Sequence, residues 1–127
     1  MQRQMLRAKI HRIAVTERDL EYEGSLTLDS DLMRAADLLP FEKIDVYDIT
    51  NASRFSTYVI EGPAGSGACC VNGAAARLVE KGDKLILAAY AGVDENDVRQ
   101  HRPVVVVIGE RNTIREVKRV EGAGVRL

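Results

Sequence analysis

The residues most able to do chemistry in this chain begin with a backbone pair, Gly24-Ser25. A serine hydroxyl beside its own peptide carbonyl can attack that carbonyl and move the acyl group from nitrogen to oxygen. An amide is more stable than an ester, so the shift needs local strain and donors that stabilise a tetrahedral oxyanion. Glycine at 24 leaves the carbonyl uncovered and the backbone free to turn. Alone, Tyr22-x-Gly24-Ser25 is equally a loop sequence.

Three other segments carry reactive or binding groups. In Arg54-Phe55-Ser56-Thr57-Tyr58, strand alternation places Arg54 and Tyr58 on one face and Thr57 on the other. A guanidinium is a two-pronged partner for a carboxylate, and a phenol is a proton donor in a dry site. A surface arginine beside a half-buried tyrosine fits the same letters. Asn72-Gly73-Ala74-Ala75-Ala76 joins a turn signal to small residues that leave backbone amides uncovered at a helix start, where anions bind. An ordinary turn and cap would read the same way. Lys9 and His11 share a face of the first predicted strand, and His101 before Arg102-Pro103 is read as a loop residue without a role.

The elements that must position these groups are short. Residues 5–16 read as a strand, with β-branched Ile10, Ile13, Val15 and Thr16. Asp29-Ser30-Asp31 offers cap chemistry ahead of a helical stripe of Leu32, Met33, Ala35, Ala36 and Leu39, stopped by Pro40. Strands over 43–50 and 54–61 flank the turn Thr50-Asn51-Ala52-Ser53, and 62–67 is a loop. A short strand through Val71, a helix over 74–79, a turn at Lys81-Gly82-Asp83 and strands over 85–90 and 104–108 follow. The tail from Arg111 to Leu127 has little to pack and is expected to be partly mobile. Many short strands and two short helices predict a small, mostly β domain closed on itself.

Bulk properties exclude several classes. The 127 residues argue for a single domain, and 46% hydrophobic with 29% charged residues is an ordinary folded composition. Eighteen basic against nineteen acidic residues leave a formal charge of -1, so no net field recruits nucleic acid or an anionic membrane. No apolar run approaches a membrane span, and the N-terminus lacks the apolar block of a secretory signal, so a cytoplasmic location is expected. Cys69 and Cys70 are adjacent and point to opposite faces of a strand, which is neither metal nor redox-motif spacing; no metal is expected.

Taken in order, Lys9-Ile10-His11, Tyr22-x-Gly24-Ser25, Asn51-x-x-Arg54-Phe55-x-Thr57-Tyr58 and Asn72-Gly73-Ala74-Ala75-Ala76 resemble the aspartate 1-decarboxylase family, collinearly from about Met5 to Ile108. The resemblance implies a small double-psi β-barrel with short helices. It implies self-cleavage between Gly24 and Ser25 into chains 1–24 and 25–127, with Ser25 becoming a covalent pyruvoyl group. That group would condense with L-aspartate as a Schiff base, and β-alanine, a pantothenate precursor, would be the product. By the same resemblance Tyr58 returns a proton to substrate, and Lys9 and Arg54 hold carboxylate. Thr57, Gly73, Ala74 and Ala75 contact substrate, while Thr57 and Asn72 assist cleavage. His11, Tyr22 and Tyr47 are possible support. The family also implies a homotetramer with sites between subunits, which would reconcile Thr57 with the opposite face of its strand. Ala52 stands where many members have glycine, and Tyr47 where some have tryptophan. The main alternative is a non-catalytic β-barrel that binds a small ligand and is never cleaved.

Overall fold

A computed structural model describes residues 1–119. Nine strands form the chain's framework: β1 (Gln2–Ala14), β2 (Glu17–Asp19), β3 (Ser25–Asp29), β4 (Lys43–Asp48), β5 (Arg54–Gly62), β6 (Cys69–Asn72), β7 (Lys84–Asp94), β8 (Val104–Ile108) and β9 (Ile114–Arg119). One α-helix, α1 (Ser30–Ala36), and 3-10 helices at Gly73–Leu78 and Glu110–Asn112 complete it. The architecture is therefore mostly β with short helices, as expected. The strands pair in the order β2-β6-β3-β5-β4-β7-β1-β8-β9. Three parallel pairs, β2 with β6, β3 with β5 and β1 with β8, sit among antiparallel neighbours and are reached by crossover connections. No described helix is long and apolar enough to cross a membrane.

The inward face is built from Ile10, Ile13, Leu26, Leu28, Ile44, Val46, Val59, Val71, Leu85, Leu87 and Val106, all nearly inaccessible. In β1 and just past its end, the apolar residues Ile10, Ile13 and Val15 do not keep a period of two. A bulge at Arg12, with φ 71°, inserts one residue so that all three face inward. Val104, Val105 and Val106 are all buried, as the unbroken valine run predicts.

Local polar contacts fix the connections. Asp29 caps α1 through its Oδ1, which accepts from Asp31 N at 2.8 Å. It also ties down the 62–67 loop, accepting from Gly65 N at 3.0 Å and Gly67 N at 2.8 Å. These donors hold its carboxyl below the usual range despite burial. Buried Asn112 joins three segments, accepting from Ala14 N and donating to Ala14 O and Gly67 O.

Four expectations about elements are corrected. The helix ends at Ala36, not at Pro40, because Asp37 takes a left-handed conformation and Leu38 N donates back to Met33 O. Leu38 then fills the core and Leu39 is left exposed. The 73–78 segment is a 3-10 helix, entered through Gly73 at φ 74°. Strand β7 runs on to Asp94 because it pairs with the arm of β1 as far as Gln2. The tail is not unpacked at its start: β9 pairs with β8. Residues 120–127 of that expectation lie outside the described residues.

Candidate active site

The site begins where an exposed loop enters a buried strand. Residues 20–24 are exposed, whereas Ser25, the first residue of β3, is 1% exposed. Strands β3 and β6 are antiparallel, with Ser25 opposite Asn72 and Thr27 opposite Cys70. Paired residues project to the same side of a sheet, so these four side chains form one polar patch. Asn72 is its centre. Its Nδ2 donates to Ser25 Oγ at 2.9 Å and to Thr27 Oγ1 at 3.0 Å, and its Oδ1 accepts from Cys70 Sγ at 3.2 Å. Ser25 Oγ in turn faces the Glu23 carbonyl at 3.5 Å.

Gly73 explains why the loop can lie so close. A Cβ at this position would stand 2.7 Å from Gly24 Cα and 2.8 Å from Gly24 N, a distance that real side chains do not tolerate. Its φ of 74° also favours glycine. A Cβ added at Gly24 itself would point into open space. The parallel register of β3 with β5 pairs Leu26 with Val59. Thr57, two residues before Val59 on β5, is half-buried on the side of Leu26 and Val59, opposite the Ser25 side chain. The local arrangement can therefore place a nucleophilic oxygen and a donor holding it beside one peptide bond.

A second group of predicted residues lies on the outward face of the sheet. Arg54 pairs with Tyr47, Tyr47 with Ile86, and Ile86 with His11, which sets Arg54 and His11 in one cross-strand row. Ser56, Asp45, Ala88 and Lys9 form the next row. Tyr58 pairs with Lys43 at the end of β4, and its ring tilts against Phe41 at 6.5 Å. Arg54 lies over the Tyr47 ring, 4.9 Å from its centroid, and Tyr47 meets Tyr90 hydroxyl to hydroxyl at 3.1 Å. That hydrogen bond, with burial, pushes the Tyr47 phenol up to about 12. Arg54 and Tyr58 are exposed, Tyr58 at 38%. A cavity of about 320 Å³ opens on this face between Gln4, Lys43, Asp45 and Tyr90.

Lys9 and His11 are half-buried neighbours on this face. Burial first, and Lys118 second, lower the Lys9 pKa. Burial and the cations Lys9, Arg12 and Lys118 lower that of His11, so the imidazole is neutral at pH 7. Its Nδ1 is buried with no hydrogen-bond partner.

Strand alternation thus divides the predicted residues into two sets. Gly24, Ser25, Asn72 and Gly73 gather at the mouth of β3, with Ala74 exposed and Ala75 half-buried just beyond, while Thr57 lies on the Leu26 and Val59 side of β5. Lys9, His11, Tyr47, Arg54 and Tyr58 share the outward face. Tyr22 is exposed in the loop, at 53%. Thr27 and Cys70 belong to the first set and were missed from sequence. Each stands two residues from a member of that set along a strand, so period two could have found them. Among the described residues no group of His, Cys, Asp or Glu is placed to hold a metal ion.

Comparison with known proteins shows the family. The family model for aspartate decarboxylase matches residues 1–115. The aspartate 1-decarboxylase of Syntrophobacter fumaroxidans is 56% identical over 112 residues, 88% of this chain and 90% of that one. That of Ralstonia nicotianae is 52% identical over 120 residues, 94% of this chain and 100% of its own. That of Heliobacterium modesticaldum is 54% identical over 124 residues, 98% and 94% respectively. The solved structure of the computationally designed msDPBB_sym2 protein is similar at a TM-score of 0.44 and 16% identity, covering 70% of this chain and 100% of that one, too weak a likeness to bear on fold. On these matches the chain belongs to the aspartate decarboxylase family.

Proposed function

We propose that this chain is made as a precursor, cuts itself between Gly24 and Ser25, and then decarboxylates L-aspartate to β-alanine and carbon dioxide. The observation that carries the reading is the buried hydrogen bond from Asn72 Nδ2 to Ser25 Oγ, beside a peptide bond whose glycine is otherwise uncovered. In the first step Ser25 Oγ bonds to the Gly24 carbonyl carbon, the Gly24–Ser25 C–N bond breaks, and the hydroxyl proton passes to the nitrogen. Thr57 is read as a donor toward the developing oxyanion, as the family resemblance implies. Loss of the Ser25 α-proton then expels the Gly24 carboxylate from Cβ. Water replaces the nitrogen of the resulting dehydroalanine, which leaves as ammonia.

The residues present fit a pyruvoyl group at position 25: it would begin a buried strand, with Asn72 and Thr27 as its polar neighbours. Once made, that group supplies an electron sink for the carbanion left when carbon dioxide departs. The chain's other groups bind and orient. Arg54, held flat on Tyr47, offers a fork to one carboxylate, and Lys9 offers a second cation to the other. Tyr58 supplies the proton to carbon.

Arg54 and Tyr58 are exposed on β5, whereas Ser25 is buried at the start of β3, and the reading takes the two sets as completed by a second copy. A homotetramer, with the outward face of one copy meeting the β3 mouth of the next, reconciles them. The test is product analysis of the purified protein with aspartate, glutamate and alanine in parallel. β-Alanine and carbon dioxide from aspartate alone is the expected outcome. Turnover of another amino acid in preference to aspartate would replace the substrate, and no turnover would sink the reading.

A further inference from the structure

The loop that carries the Gly24-Ser25 bond crosses the end of a strand. Strand β2 runs parallel to β6 and β3 runs antiparallel to it, so Asn72, the last residue of β6, has Asp19 on one side and Ser25 on the other. Residues 20–24 therefore pass over that end, from one neighbour of β6 to the other. They do so against Gly73, where a Cβ would strike Gly24. Two inter-strand spacings come to about 10 Å, whereas the extended loop could reach about 17 Å. The loop has slack, so how closely Gly24 is held depends on its upstream stem staying on β6. That stem is β2, whose residues Glu17, Arg18 and Asp19 are all exposed and bury no apolar side chain.

Arg18 supplies what burial does not. Its Nη1 donates to Ala76 O at 3.1 Å and to Val79 O at 3.0 Å, at the end of the 3-10 helix that Gly73 begins. Carbonyls at a helix end have run out of intrahelical donors. A guanidinium only donates and a carbonyl only accepts, so the direction of both bonds is fixed. Among the described residues, the remaining ties from β2 side chains to the body are ion pairs, Arg18 with Glu80 at 3.5 Å and Glu17 with Lys81 at 3.9 Å. The partners are mostly exposed and contribute little. We infer that Arg18 is a positioning residue for cleavage at Gly24-Ser25: it clamps β2 to the 3-10 helix, so that the two segments meeting at Gly24 and Gly73 are tied a second time. The inference rests on the reading that the chain cuts itself there. Without the clamp, the loop's upstream fixed point moves back to Thr16, whose N donates to Cys69 O at 2.9 Å, and the free span becomes 17–24 instead of 20–24. A longer span spends less of its time in the position from which Ser25 Oγ can attack.

The test uses full-length precursors from cell-free translation, wild type beside Arg18→Met and Arg18→Lys, with cleavage followed by intact mass over time. Arg18→Met keeps much of the stem without a donor and is expected to cleave about 3- to 30-fold more slowly, up to the scale of one charge-assisted hydrogen bond. Arg18→Lys presents one nitrogen able to donate to both carbonyls and is expected to recover to within about threefold of wild type. Amide hydrogen exchange in the uncleavable Ser25→Ala background separates the clamp from general stability. Arg18→Met should speed exchange over β2 by about 3- to 30-fold and leave β1 and β7 as protected as before. Arg18→Met cleaving at the wild-type rate, Arg18→Lys cleaving no faster than Arg18→Met, or unchanged exchange over β2 each overturns the inference. So does an equal loss of protection throughout the chain, which would make Arg18 a residue of general stability. Failure of the wild type to cleave at all would instead remove the underlying reading. The exchange comparison would still report the clamp, so the two failures are distinct.

Discussion

Replacing Asp48 by asparagine should stabilise this protein at neutral pH, and the structure sets the size of the gain. Asp48 is 2% exposed at the end of β4. Its Oδ1 accepts from Thr50 N at 2.8 Å and Asn51 N at 3.2 Å, holding the turn that leads to Arg54. Its Oδ2 is buried with no hydrogen-bond partner among the described residues, and a second buried acid, Asp83, is its neighbour. Burial first, and Asp83 second, push the Asp48 carboxyl from 3.8 up to about 6. For a folded pKa above the unfolded one, the proton-linked stability is fully present below 3.8 and is lost as pH rises through about 6. At about 1.4 kcal/mol per pH unit, the loss amounts to about 3 kcal/mol at most. Asparagine keeps the acceptor for Thr50 and Asn51 and turns an NH2 toward Asp83. Asp48→Asn should thus match its parent near pH 3.5 and exceed it by about 1–3 kcal/mol from pH 7 upward. Urea denaturation from pH 3.5 to 8 at fixed protein concentration, in the uncleavable Ser25→Ala background, measures the difference on one polypeptide. A difference independent of pH, or a less stable variant at pH 7, would refute the reasoning.

Further substitutions address the site itself. Tyr58→Phe keeps the ring against Phe41 but removes the proton donor, so cleavage should proceed while kcat falls by about 10²- to 10⁴-fold; an unchanged kcat would assign the proton to another group. Arg54→Lys keeps the charge but loses the planar fork and the stacking on Tyr47. Steady-state kinetics on fully processed protein should show about 1–3 kcal/mol lost in kcat/KM for aspartate, and no loss would make Arg54 a surface charge. Gly73→Ala puts a methyl group where Gly24 Cα lies 2.7 Å away, at a φ of 74°. Roughly 1–3 kcal/mol of strain should appear as slower cleavage on a mass time course, and wild-type cleavage would mean the loop relaxes freely.

How much of this was legible in the sequence follows from the range of the forces involved. Alternation along Arg54 to Tyr58 put the guanidinium and phenol on one face and Thr57 on the other, as their exposure in β5 bears out, because the rule is local; which face was outward was not legible. The Asp29 cap was legible for the same reason, although its bonds to Gly65 and Gly67 were not. Strand β2, three exposed polar residues, has no apolar signal and exists only because β6 pairs with it. The extension of β7 and the pairing of β9 likewise depend on partners remote in sequence. Within the site, the ordered motifs named Ser25 and Asn72 but not the hydrogen bond between them. That contact is set by the register of β3 on β6, which no spacing along one strand contains. Thr27 and Cys70 went unnoticed because a threonine and a cysteine in apolar strands read as filler until the Asn72 amide is seen between them.

The claim on which the rest depends is that Ser25 cuts the chain and is consumed in doing so. Intact mass spectrometry of the purified protein, beside its Ser25→Ala variant, tests it without assuming a substrate. The wild type should convert from one 14.0 kDa species into two, split between Gly24 and Ser25. The masses of the two should sum to the precursor plus one water minus one ammonia, the signature of a serine turned into a ketone. Ser25→Ala should persist as a single species. A wild type that remains whole, or a variant that cleaves at the same bond, would contradict the account.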